Sequence, residues 1–467
     1  MREMMNVARA WLHGGWRAAH DIEPEFWRNL QTELLAGRQW FDRAIVLAYA
    51  AVTGLFVVGF TLLAEAALHG FRQVEHWGHY GRYLTLLWTP ALTVAVLWWA
   101  RRYVPGALGS GIPQVVRALD DEVTSSQQAW LASLRVSLHK IGLVSGGLLA
   151  GLSIGREGPT VQVGAGVMVH ARRWLSPQSG LDAHDLMVAG AAAGIAAAFN
   201  TPLGGIVFAL EQLSRRRGIS HSSLVIASIV LAGLVAVAVF GNETYFGRLR
   251  VQQMSWSLLV PGLLVAVLAG LAGGLFARLI IVSVRGLPDR FSRWRSQHPL
   301  RFAAGCGLAV AVIGLATGGA TAGAGYATTR SLLEGQGDLP GVYTLLKFCA
   351  TWLSAWSGVP AGVFAPSLAV GAGIGNDVAL FWGVGKDEAI PLIALGMAGF
   401  LAATTGGPIT AFIIVMEMVS GQAMVLSLMA CALLSSGVAR LVTQPMYQEL
   451  AAMLPLPGLA PPPPAKP

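Results

Sequence analysis

The chain has 467 residues, of which 54% are hydrophobic and only 12% charged, about half the roughly 25% charged share of an average soluble domain. That composition, with a mean hydropathy of +0.58 and apolar runs along the whole length, excludes an ordinary soluble domain, a disordered chain and a collagen-like one. It predicts an all-α polytopic membrane protein. The net charge of +8 does not point to nucleic acid, because the basic residues sit in short clusters between apolar runs, where they act as orientation signals.

Residues 1–43 carry six arginines and six acids and no apolar core of signal-peptide type, so they read as a retained, amphipathic, cytoplasmic segment. Apolar stretches follow at about 44–68, 84–100, 130–153, 187–213, 222–240 and 257–284, then at about 302–320, 340–375, 390–418 and 423–442. Several exceed one span or are interrupted by Gly and Pro, which predicts broken, tilted or re-entrant helices. Residues 451–467, ending PPPPAKP, read as a Pro-rich tail. The cluster Arg215, Arg216, Arg217 and the cluster Arg285, Arg290, Arg293, Arg295, Arg301 both mark the cytoplasmic side. Two apolar stretches separate them, and an even number of crossings returns the chain to the same face. Cys306, Cys349 and Cys431 have no metal-ligand or CxxC spacing and read as packing residues. No metal or cofactor is expected.

The chain also resembles itself. Gly155, Pro159 and Gly164 in GREGPTVQVG have the same spacing as Gly362, Pro366 and Gly371 in GVFAPSLAVG. At nearly the same offset, Gly194, Ala198, Pro202 and Glu211 match Gly399, Ala403, Pro408 and Glu417, with one extra residue before the second proline. Two matches in the same order predict duplicated halves, taken as 44–240 and 241–450. Such halves meet at a midplane site formed by interrupted helices. A helix N-terminus offers unpaired N–H groups and about half a positive charge, which binds an anion without trapping it as a full charge would.

Glu157 lies in a Gly-rich break within an apolar region, where a buried charge costs roughly 2.5 to 3.5 kcal/mol. One reading is a pair with Arg156 or a helix-start carboxylate. The other is a tethered anion that occupies an anion site and leaves it when protonated; burial favours the neutral acid and helix N-termini the carboxylate. Ser110 in GSGIP has glycines on both sides and one hydroxyl to donate, although GSG is also an ordinary turn. Tyr447, two residues after Pro445, reads alone as an interfacial aromatic anchor. Glu211 and Glu417 end apolar helices and are expected to close each repeat, while Lys140 and Lys347 are expected to be satisfied by carbonyls or a carboxylate.

GSGIP at 109–113, GREGPTVQVG at 155–164, GVFAP at 362–366 and a late Pro-x-Tyr closely resemble the four anion-pathway motifs of the CLC chloride channel and transporter family, in the family's order. The resemblance covers about residues 40–450. It implies an inverted repeat of tilted and re-entrant helices, a homodimer in the lipid bilayer with one pathway per subunit, and N- and C-termini in the cytoplasm of a bacterial inner membrane. By the same resemblance, Ser110 and Tyr447 would put hydroxyls on a central chloride, with backbone N–H groups of Val363 and Phe364 completing the site. Glu157 would be the external gate and proton acceptor. N–H groups around Arg156 to Gly158 would form the outer anion site. Ser110 resembles chloride-selective members more than nitrate-selective ones.

Two positions depart from the family's pattern. Gln212 stands at the internal proton-transfer position, where a glutamate is usual in proton-coupled members, and glutamine carries no proton by titrating. Gln114 follows GSGIP where Glu is frequent, and is expected to alter only a cytoplasmic edge. The chain also lacks the C-terminal CBS module of many eukaryotic members. The resemblance implies chloride transport, by chloride/proton antiport or, given Gln212, by a passive channel. An intramembrane enzyme using Glu157 is the remaining class, but no Ser/His, HExxH or paired-Asp constellation accompanies it.

Overall fold

The computed structural model describes residues 37–214, 222–241, 244–246, 256–336 and 342–458. Residues 1–36 of the expected amphipathic segment, the Arg215, Arg216, Arg217 cluster and residues 459–467 of the tail lie outside the described residues. The first half runs through α1 (Gly37–Glu75), α2 (Gly81–Tyr103), α3 (Ile112–Ala118), α4 (Ser125–Leu131), α5 (Leu134–Leu149), α6 (Glu157–Val169), α7 (Ala183–Phe199), α8 (Pro202–Phe208) and α9 (Ser222–Phe240). The second supplies α10 (Leu259–Arg285), α11 (Arg290–Gln297), α12 (Pro299–Ala316), α13 (Tyr326–Leu333), α14 (Tyr343–Trp356), α15 (Phe364–Trp382), α16 (Lys386–Thr405), α17 (Pro408–Met418), α18 (Val425–Arg440) and α19 (Met446–Ala452). Among the described residues, eight helices are long and apolar enough to cross a membrane: α1, α2, α9, α10, α12, α15, α16 and α18.

The first span starts earlier than hydropathy alone suggests. Helix α1 is already formed at Gly37, inside the segment expected to be amphipathic, and the i,i+4 pair Arg38–Asp42 (3.8 Å) supports this polar turn. Helix α6 shows the opposite behaviour. Its 13 residues reach roughly 20 Å at about 1.5 Å per residue, short of the roughly 30 Å hydrocarbon thickness. A helix that short begins inside the membrane, which is tolerable only where protein surrounds the free backbone; residues 157–168 of α6 are all buried.

Small residues set the inter-helix distances. A Cβ on Gly164 would lie 2.1 Å from the Gly190 carbonyl oxygen, and a Cβ on Gly371 would lie 2.3 Å from that of Gly396. The α6–α7 and α15–α16 crossings are thus the same glycine-on-glycine contact in the two halves, the device that brings helix backbones together in membranes. Where the halves meet, Gly155 and Gly362 form an antiparallel bridge, Gly155 N–H to Gly362 O at 2.7 Å and the reverse at 3.2 Å. A Cβ on Gly362 would sit 2.5 Å from Gly155 O. The two glycines matched in sequence therefore face each other at the centre of an inverted repeat.

The buried lysines repeat the pattern. Lys140 Nζ donates to the carbonyls of Ala107 (2.8 Å) and Gly109 (2.6 Å), and Lys347 Nζ to those of Thr321 (2.9 Å) and Gly323 (2.7 Å). Each ties down a turn that could not otherwise satisfy its carbonyls in an apolar surrounding.

The helix-end glutamates differ from expectation in one respect, because each one closes the other half. Glu211 accepts from the N–H groups of Ile409 (3.1 Å) and Thr410 (2.7 Å) at the start of α17. Glu417 accepts from those of Leu203 (3.2 Å) and Gly204 (2.7 Å) at the start of α8. The carboxylates satisfy free N–H groups at helix starts and meet the positive end of the helix dipole. Glu417→Ala is expected to destabilise the purified protein by roughly 1.5 to 3 kcal/mol for a charge-assisted contact, seen as a lowered thermal midpoint, with Glu211→Ala acting alike. Thermal unfolding followed by tryptophan fluorescence checks this, and unchanged midpoints in both variants would remove the clasp from the stability argument.

Candidate functional site

Ser110 sits in a turn that only glycines permit: Gly109 has φ +74° and Gly111 φ +109°, both in the region unfavourable to other residues. Lys140 holds the carbonyl of Gly109. Gln114 holds the rest. Its Oε1 accepts the Gly111 N–H at 2.8 Å, and its Nε2 donates to the Leu108 carbonyl. Gln114 is 3% exposed, so the cytoplasmic-edge expectation is corrected: it caps α3 and fixes the serine turn. The Gly-x-x-Gln spacing of a capping box was the available signal.

The turn touches the glutamate segment. A Cβ on Gly111 would lie 2.7 Å from Gly158 O, and one on Gly158 would lie 2.6 Å from Ser110 Oγ. Glu157 is the first residue of α6, with Arg156 as its N-cap. Its side chain folds back over Gly155, where a Cβ would stand 2.3 Å from Oε2. Backbone N–H groups of Arg156, Glu157 and Ala365 face the carboxylate and favour its charged form. Two of those belong to the start of α6, and the third to the start of α15, whose N-cap is Val363 and first residue Phe364. Glu157 is 0% exposed, and among the described residues neither of its oxygens has a partner in hydrogen-bond geometry.

Arg156 hydrogen-bonds elsewhere. Its Nη2 lies 3.1 Å from Glu65 Oε1, and its Nη1 donates to Thr61 O at 3.4 Å. The alternative of a local Arg156–Glu157 hydrogen-bonded pair is therefore not the arrangement found. Glu65 was missed from sequence, although a single acid inside the apolar run of α1 was a signal.

Tyr447 is the second residue of α19 and is 1% exposed, so it is no interfacial anchor. Its hydroxyl lies beside that of Ser110, with Glu157 near. Neither hydroxyl has a hydrogen-bond partner among the described residues. A cavity of about 630 Å³ ends at Glu157 and is also lined by Glu65, Arg72, Arg156, Tyr245 and Arg330. Ser110 and Tyr447 do not reach it. Phe240 and Gly241, at the end of α9, line its wall, so it opens at the end of the α9–α10 pair away from Arg285.

Gln212 is not brought to this cluster. It lies in the π-turn Ala209–Leu213 after α8, buried, against Gly407, where a Cβ would fall 2.1 Å from Gln212 Nε2. The π geometry is a feature often found at functional positions. Asp182, His184 and Asp185 bring possible ligand atoms within 4.8 Å of one another, but Asp182 Oδ1 accepts the Asp185 N–H as the cap of α7, and none of the three lines the cavity.

Fold and site together define a multi-pass membrane protein of inverted-repeat architecture whose central residues come from helix starts of both halves. The family model described as voltage gated chloride channel matches residues 92–440, and the chain belongs to that family, the CLC family. It is 30% identical over 434 residues to the H(+)/Cl(-) exchange transporter ClcA of Vibrio parahaemolyticus, covering 87% of this chain and 89% of the relative. It is 32% identical over 366 residues to ClcA of Vibrio cholerae, 75% of each chain. Among solved structures, a slow cyanobacterial Cl-/H+ antiporter superposes with a TM-score of 0.74 at 22% identity, over 88% of this chain and 97% of that one.

Proposed function

We propose that the protein exchanges chloride for protons across the membrane, with Glu157 as external gate and proton acceptor. The observation that carries this reading is the fully buried Glu157 carboxylate, without a partner in hydrogen-bond geometry among the described residues, next to the equally unpartnered hydroxyls of Ser110 and Tyr447. Buried polar groups are nearly always hydrogen-bonded, and a buried charge left unpaired is costly. Three such groups at the starts of helices are accounted for together by an anion that the hydroxyls hold and a carboxylate that takes turns with it. Ser110 and Tyr447 donate to the central chloride, and N–H groups of Val363 and Phe364 complete its shell. N–H groups around Arg156 to Gly158 form the outer site, which the Glu157 carboxylate fills until protonation releases it.

The relatives named as H(+)/Cl(-) exchange transporters support chloride and protons as substrates. The basic cluster from Arg285 to Arg301 supports a cytoplasmic inner face and with it an extracytoplasmic Glu157 cavity; the proposal includes cytoplasmic termini and a bacterial inner membrane. The working unit is a homodimer with one pathway in each subunit, each built from the halves 44–240 and 241–450. Chloride efflux from proteoliposomes, with external pH recorded simultaneously, tests the proposal; an absence of chloride efflux overturns it. Gln212 favours a second reading, the passive chloride channel, which the same recording separates through its proton trace.

Ser110→Ala and Tyr447→Ala are each expected to weaken chloride binding by roughly 0.5 to 1.5 kcal/mol, or about 1.5 to 3 if the ionic partner dominates. The backbone donors retain part of the affinity. Calorimetric chloride titration measures this, and unchanged affinity in both variants rejects the assignment of the central site.

A further inference from the structure

We propose that the groove between α2 and α12 at the basic end of the molecule is a binding site for the phosphate headgroup of an anionic phospholipid. The groove has a volume of about 430 Å³ and is lined by Trp98, Arg101, Arg102, His298, Leu300 and Arg301. Arg101 and Arg102 end α2, and Arg301 is in the first turn of α12. All three are exposed. Four other arginines are paired with carboxylates, as Arg117–Asp120, Arg156–Glu65, Arg285–Glu449 and Arg330–Glu334. Among the described residues these three have neither a carboxylate within ion-pair distance nor a hydrogen-bond partner. Three guanidiniums around one concavity repel each other, and an anion entering it relieves that repulsion with bidentate hydrogen bonds.

The surroundings identify the anion as a lipid's. Trp98, Trp99 and Tyr103 form an aromatic cluster, with ring centroids 4.8 to 6.5 Å apart, and each ring is about half exposed. Trp294 stacks on His298 from α11, an amphipathic helix with no buried residue. Exposed aromatic rings beside basic residues at helix ends mark the headgroup level of a bilayer, and basic pockets between spans on the cytoplasmic side suit acidic headgroups. Trp98 and Leu300 give the acyl chains an apolar wall that an inorganic anion does not need. The walls form a firm pair: a Cβ on Gly307 would lie 2.9 Å from Pro90 Cα, so α12 and α2 cross closely above the groove.

The test uses the purified full-length protein, mixed in detergent with equimolar phosphatidylglycerol and phosphatidylcholine and examined by native mass spectrometry. The phosphatidylglycerol adduct should dominate, and each Arg→Gln change at 101, 102 or 301 should lower its retention about fivefold, with roughly a hundredfold for the triple variant. Changing Arg290 and Arg293, which are basic but outside the groove, should leave retention unchanged. Equal retention of the two lipids by the unmodified protein, or unchanged retention in the triple variant, overturns the proposal. So does displacement of phosphatidylglycerol by millimolar inorganic phosphate, which would make the groove a free-anion site. Should the triple variant fail to fold, R301Q alone decides: lowered retention supports the site, and undiminished retention overturns it.

Discussion

Replacing Glu157 by glutamine is expected to abolish proton movement while chloride continues to cross, with its flux no longer dependent on pH. The carboxylate of Glu157 lies over Gly155 between the starts of α6 and α15, and on the proposed reading it competes as an anion with chloride for the same N–H groups. Glutamine has the same shape and no charge. It has no electrostatic reason to occupy that position and, like a protonated carboxylate, should vacate it. It also has no group that titrates, so nothing at the floor of the cavity accepts a proton from outside. Paired recordings of chloride and pH in proteoliposomes distinguish the two effects. Proton coupling that survives in E157Q would show that Glu157 is not the gate; chloride flux lost together with the protons would make it a structural residue.

Sequence carried the glycines further than the side chains. Gly155 and Gly362 are matched by spacing alone, and in the fold they are bridged to each other, because backbone contacts between two halves need residues without side chains at equivalent places. Lys140 and Lys347 likewise announced themselves as isolated bases in apolar runs, and carbonyls satisfy both. Hydropathy marks which stretches are apolar, and it cannot say which residue lies opposite which. That is why Glu65 as the partner of Arg156, the burial of Tyr447 and the crossed clasp of Glu211 and Glu417 were not legible: each is a contact between segments far apart in the chain. Gln114 was misplaced for another reason. Its neighbours suggested a family position, whereas its own chemistry, an amide three residues after a helix N-cap, already assigned it to capping. The start of α1 shows the limit of an apolar window, since a helix continues into polar residues wherever local pairs such as Arg38–Asp42 support it.

Proton coupling is expected to persist in the unmodified protein although Gln212 stands at the position that the family resemblance assigns to inner proton transfer. Glu211 is the neighbouring acid, but its carboxylate accepts from Ile409 and Thr410, and a group that anchors a helix start is a poor shuttle. The route that remains is water. Beside the clasp, Gln212 Nε2 and Thr410 Oγ1 are buried side-chain atoms with no hydrogen-bond partner among the described residues, and a water needs about two to four polar partners to be held. Water held by these groups is therefore expected to relay the proton past Gln212 in place of a titrating side chain. Proteoliposomes with an outward chloride gradient should then draw protons uphill, and the reversal potential under a pH gradient should depart from the chloride Nernst value. Gln212→Glu should leave coupling intact or accelerate it, because a titrating acid would be added on the same path. Glu211→Gln should also leave coupling intact, with stability lowered by the weakened clasp. If chloride efflux moves no protons and the reversal potential stays at the chloride value, Gln212 marks an uncoupled pathway and the protein is a passive channel. If coupling is present but Gln212→Glu abolishes it, the proton crosses elsewhere and the π-turn after α8 is not its exit.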